Sequence, residues 1–85
     1  MKILLLEDDI LLNGAIATYL NSVGHAITSV RDGNICLELL EKESFDLLIF
    51  DINVPNIDGL SILEELHIQK KIIPVIFIST LIDIE

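Results

Sequence analysis

Acidic side chains recur in this 85-residue sequence at the ends of short apolar runs. Residues 3–6 run into Glu7, Asp8 and Asp9, and residues 47–50 run into Asp51. An apolar run closed by carboxylates reads as a buried strand that delivers them to one rim of a sheet. If the first and third such strands are neighbours, Asp8 and Asp51 lie about one strand spacing apart, ~5 Å, with Glu7 at the same rim. Three carboxylates that close repel, so one keeps its proton or a cation enters. The oxygen-only set suits a hard divalent ion, Mg²⁺ or Mn²⁺. Such an ion would draw phosphoryl oxygens toward Asp51 and reduce the repulsion between carboxylate and phosphate. Asp51 could then act as a nucleophile and form an acyl phosphate. Ser79 or Thr80, closing a fourth apolar run, would be placed to hydrogen-bond a phosphoryl oxygen.

The elements that must position these groups alternate along the chain. Lys2–Leu6 reads as a strand, and residues 10–23 repeat apolar side chains at helical spacing (Leu12, Ala15, Ile16, Tyr19, Leu20, Val23) before Gly24 stops the helix. Ala26–Val30 is a second strand. Asp32-Gly33 opens a helix with Cys36, Leu37, Leu39 and Leu40 on one side and Glu38, Glu41 and Lys42 facing out. Residues 46–50 form a third strand, followed by a turn-rich segment over 53–59 and a helix from about Asp58 carrying Leu60, Ile62, Leu63 and Leu66. Residues 73–78 form the fourth strand. Apolar strands alternating with amphipathic helices predict an α/β fold, a parallel sheet covered by helices. In such sheets functional groups gather beyond the carboxyl ends of the strands, where strand order reverses.

Composition narrows the function classes. Five Lys+Arg against 14 Asp+Glu give a formal charge of −9, which argues against direct nucleic-acid binding, since that needs a dense basic surface. A hydrophobic content of 52% with 5% aromatics argues against disorder and for an aliphatic core. The length allows one small domain. The longest apolar stretch, over 72–78, is far below the ~18 residues of a membrane span. Residues 1–9 lack the pattern of a signal peptide, which makes the cytoplasm the expected location. The single Cys36 excludes an internal disulfide and reads as a small buried thiol. His25 and His67 lack partners at metal-ligand spacing and read as surface residues.

The ordered set Glu7-Asp8, Asp51-Ile52-Asn53-Val54-Pro55, Asp58-Gly59 and Ser79 resembles the receiver domain of two-component response regulators, in its transcription-factor branch. The resemblance covers nearly the whole chain and implies a flavodoxin-like, doubly wound parallel sheet. It implies strand order 2-1-3-4, with the family's fifth strand and last two helices absent from residues 1–85. Asp51 matches the phospho-acceptor, Asp8 the direct Mg²⁺ ligand and Glu7 a ligand acting mainly through water. Asn53 falls where the family supplies a backbone carbonyl to the metal. Ser79 matches the switch hydroxyl, and Thr80 follows where the family usually has a small residue. The implied donor is a phosphohistidine of a sensor histidine kinase. Slow self-catalysed hydrolysis follows transfer, so the domain is not a conventional enzyme. A DNA-binding output domain, absent here, follows the receiver in that branch.

The family also has a Lys after the fifth strand, which this sequence lacks. Lys70 and Lys71 precede the fourth strand and lie at the opposite end of the sheet. An incomplete receiver leaves the fourth strand as an open edge, so the expected assembly is a homodimer or an element-exchanged dimer. Plainer roles stand beside these. Asp9 reads as a helix cap rather than a metal ligand, Asn53 as an ordinary turn residue and Ser79 as a satisfied strand-end hydroxyl. Two other functions are open: a degenerate receiver that only dimerises or binds partners, and a phosphatase of the haloacid dehalogenase type. The latter needs a second Asp two positions after the nucleophile, where Asn53 stands.

Overall fold

The structure is a computed structural model and describes residues 1–51 and 59–78. Its elements are β1 (Lys2–Leu6), α1 (Ile10–Ser22), β2 (Ala26–Val30), α2 (Gly33–Lys42), β3 (Leu47–Asp51), α3 (Gly59–Ile68) and β4 (Val75–Ile78). The four strands form one parallel sheet in the order β2-β1-β3-β4, as expected. β1 pairs on both sides, its Leu6 opposite Val30 and Phe50, and Ile3, Leu4, Leu5 and Leu6 are all buried. Because the chain moves outward from β1 to β2 and then back across to β3 and β4, right-handed crossovers put α1 on one face and α2 and α3 on the other.

Side chains alternate across the sheet. Leu4 and Leu6 of β1 join Leu48 and Phe50 of β3, Cys36 and Leu40 of α2, Phe45, and Ile62 and Leu66 of α3 in one core. Ile3 and Leu5 point to the other face, where α1 packs against β1 and β2. The stripe that α1 buries is narrower than its apolar spacing predicts. Leu12, Ile16 and Leu20 are half-buried, while Tyr19, Val23 and the 84% exposed Leu11 stand in solvent, and the residue it buries most is the polar Asn13.

Local chemistry sets the helix ends. Asp9 caps α1 by accepting from the Leu12 amide at 3.0 Å, and Asp32 caps α2 by accepting from the Asn34 amide at 2.7 Å. At the end of α1, Gly24 takes φ +101°, so its N–H reaches the Asn21 carbonyl and the His25 N–H reaches that of Leu20. The end of α3 repeats this pattern with Lys70 at φ 59°, its N–H on His67 and that of Lys71 on Leu66.

Two strand boundaries differ from expectation. β3 begins at Leu47 because Asp46 is used as a cap, its N–H donating to the Lys2 carbonyl and its carboxylate accepting from the Lys2 amide at 2.8 Å. β3 continues through Asp51, which pairs with Ile78. β4 begins at Val75 rather than at 73, since Pro74 has no N–H for the ladder, although its carbonyl accepts from Leu48 at 2.9 Å. Among the described residues β4 pairs with β3 alone, and its Ile76 is 51% exposed.

Candidate metal centre

Glu7, Asp8 and Asp51 meet at the carboxyl ends of β1 and β3. One carboxylate oxygen from each lies within 4.8 Å of the others. The Leu6–Phe50 register places the next residue of each strand at the same rim, which is why residues 44 positions apart in sequence converge. Glu7 is fully buried, Asp51 is 3% exposed and Asp8 faces solvent.

The electrostatics follow from that burial. Glu7 Oε2 accepts from the Asp9 amide at 3.0 Å, while Oε1 has no hydrogen-bond partner among the described residues. Desolvation raises the Glu7 carboxyl from 4.5 to about 7, helped by the neighbouring Asp51 carboxylate and opposed by the Asp9 amide. A buried, unpartnered oxygen beside two further carboxylates fits a hard divalent cation, which would supply the missing partner and offset the repulsion. Asp9 points elsewhere, capping α1. Lys71 sits at the opposite rim of the sheet, where its Nζ donates to the Leu40 carbonyl at 3.0 Å. His67 is exposed, and His25 Nδ1 lies 3.3 Å from the Met1 amine, so neither reaches the carboxylates.

Asn53, Pro55, Asp58, Ser79 and Thr80 lie outside the described residues. Sequence reasoning missed one residue that braces the site, Asn13, and named Gly59 only as part of the turn before α3. Asn13 donates from Nδ2 to the Glu7 carbonyl at 2.9 Å, and its one signal was a polar amide among the apolar residues that open α1. Gly59 brings the start of α3 against the end of β3.

Comparison with known proteins agrees with this geometry. A family model described as the response regulator receiver domain matches residues 3–85. Response regulator protein PmrA of Pseudomonas aeruginosa is 39% identical over 79 residues, covering 93% of this chain and 36% of PmrA. The two-component response regulator PhoP of the same organism is 32% identical over 93% of this chain and 35% of its own length. The chain therefore spans about a third of these curated relatives. Among solved structures, the Francisella response regulator 1452 receiver domain superposes with a TM-score of 0.90 at 32% identity, over 94% of this chain and 66% of that one. Response regulator TrrA from Thermotoga maritima, solved in complex with Mg²⁺-BeF, gives 0.85 at 27% identity, over 92% and 68%.

Proposed function

The chain belongs to the response regulator receiver family, and from that membership we propose that it is the phospho-acceptor part of a two-component regulator, with Asp51 as acceptor. The observation that carries this reading is the convergence of Glu7, Asp8 and Asp51 with one buried carboxylate oxygen unpartnered. Asp8 and Asp51 would hold Mg²⁺ directly and Glu7 mainly through water. When bound, the ion supplies positive charge that offsets repulsion between carboxylate and phosphoryl oxygens. An Asp51 oxygen attacks the phosphorus of a phosphohistidine on a sensor kinase. The P–O bond forms as the P–N bond breaks, and the departing imidazole nitrogen takes a proton from solvent. The product is a carboxylic–phosphoric anhydride, which water later hydrolyses to phosphate and the original carboxylate. Each transfer modifies the domain itself, so it is a signalling acceptor and not a turnover enzyme.

In this reading Asn53 would offer its backbone carbonyl to the ion, and Ser79, or Thr80 next to it in sequence, would hydrogen-bond the phosphoryl group. The parent protein is a cytoplasmic DNA-binding transcription regulator, and its role in transcription is supported by relatives such as the transcriptional activator protein PfeR of Pseudomonas aeruginosa, 36% identical over 94% of this chain and 26% of its own length. Among the described residues β4 pairs on one flank only, and this with its half-exposed Ile76 supports association with a second copy. Sedimentation is expected to give twice the chain mass, and a monomeric mass with cooperative unfolding would remove the dimer.

The test of the acceptor is intact mass after incubation with Mg²⁺ and a small-molecule phosphodonor. One phosphoryl group is expected on the chain and none on Asp51→Asn. A folded chain, checked by circular dichroism, that gains nothing would leave only the partner-binding reading.

A further inference from the structure

Asn13 is 7% exposed, on the side of α1 that turns toward the sheet. A carboxamide buried among apolar groups is costly unless its donors are used. Here Nδ2 donates to the Glu7 carbonyl at 2.9 Å and to the Val30 carbonyl at 3.2 Å. The Val30 carbonyl also accepts from the Glu7 N–H at 3.1 Å. Both backbone polar groups of Glu7 are thus held, one by β2 and the other by α1. The Asn13 N–H donates to the Asp9 carbonyl at 2.8 Å, and the Asp9 N–H donates to Glu7 Oε2 at 3.0 Å. Glu7, Asp9 and Asn13 therefore form a closed circuit of hydrogen bonds, just where the β1 ladder ends at Leu6.

From this circuit we infer that Asn13 is a positioning residue for the cation, because the carbonyl it holds belongs to the peptide that joins Glu7 to Asp8. Rotation of that peptide swings the two carboxylates relative to each other and to Asp51. With the Asn13 amide in place, the rotation breaks a buried hydrogen bond and is disfavoured. The inference rests on reading the three carboxylates as a cation site. Hydrogen-bond partners behind metal ligands commonly change affinity by about 10- to 100-fold when removed.

The experiment is calorimetric titration of the chain with Mg²⁺, alongside Asn13→Ala and Leu66→Ala. The latter removes core packing far from the carboxylates and controls for lost stability. Asn13→Ala is expected to weaken Mg²⁺ binding by about 10-fold or more, with Leu66→Ala close to the unchanged chain. An Asn13→Ala affinity within about twofold of the unchanged chain, or an equal loss in both variants, overturns the inference and leaves the cation site standing. If the unchanged chain binds no Mg²⁺, the site reading itself fails and the inference with it. Should Asn13→Ala not fold, the side-chain amide resonances of the unchanged chain decide. Those of Asn13 should shift on adding Mg²⁺ while those of Gln69, just past the C-terminal end of α3, stay still; an unmoved Asn13 signal overturns the proposal.

Discussion

Gly59 and Asp51 meet backbone to backbone: a Cβ on Gly59 would stand 3.2 Å from the Asp51 carbonyl oxygen, 3.2 Å from Phe50 Cβ and 3.0 Å from Phe77 Cε1. The first residue of α3 thus rests on the end of β3, above the edge-on contact of Phe50 and Phe77, whose centroids are 6.4 Å apart. Backbone and packed rings leave little room to yield. Gly59→Ala is expected to destabilise the fold by about 1–3 kcal/mol, read as a lower urea midpoint, and to weaken Mg²⁺ binding by displacing Asp51. An unchanged midpoint would mean that α3 can slide.

Folding should depend on pH through Glu7. Its carboxyl titrates near 7 in the folded chain, against 4.5 as the ordinary value, chiefly because it is buried. The folded state therefore holds a proton that the unfolded state releases, so rising pH weakens folding between about 4.5 and 7, by up to about 1.4 kcal/mol per pH unit, and no further above that. Glu7→Gln should flatten this slope and stabilise the cation-free chain at pH 8. Mg²⁺ competes with the proton, so it should raise the urea midpoint more at pH 8 than at pH 5. Equal gains at both pH values would separate Glu7 from the cation.

Lys70 occupies a left-handed conformation at φ 59° that glycine adopts without strain. Lys70→Gly is expected to raise stability by about 0.5–1 kcal/mol, since the loss of side-chain strain exceeds the added freedom of the unfolded chain. Thermal unfolding checks it. The matching change Gly24→Ala, at φ +101°, should act in the opposite direction.

Cys36 is buried in the core, and desolvation pushes its thiol up to about 12. With almost no thiolate and no access, it should resist iodoacetamide in the native chain and react fully in urea. Rapid native labelling, read by mass, would reveal that α2 opens on its own.

Much of the architecture was legible because each element carries its own signals. The apolar Lys2–Leu6 run, the Asp32 cap and the Gly24 stop act within a few residues, and they placed β1, α1, β2 and α2 to within a residue. The pairing of Glu7-Asp8 with Asp51 was also legible, since strand ends in a parallel sheet share a rim. Tertiary context decided the rest. Pro74 lies in an apolar run yet cannot donate to the ladder, which shortened β4. Asn13 is buried because two strand-end carbonyls need its amide, and helix periodicity carries no trace of carbonyls contributed by other strands. Lys70 adopts the glycine conformation because the α3 turn demands it. Composition alone does not mark that position.

β1 is hydrogen-bonded on both flanks, whereas β4 has one flank open among the described residues. Amide exchange separates such strands: the central one exchanges only when the whole domain unfolds, the outer one through smaller local openings. Glu7 and Asp8 hang from the first strand, and Asp51 from the strand that carries the second. A divalent ion held by all three would join β1 to β3, the strand against which β4 pairs through Asp51 and Ile78, so occupancy of the site is expected to slow exchange in β4, a strand that contributes none of the three carboxylates.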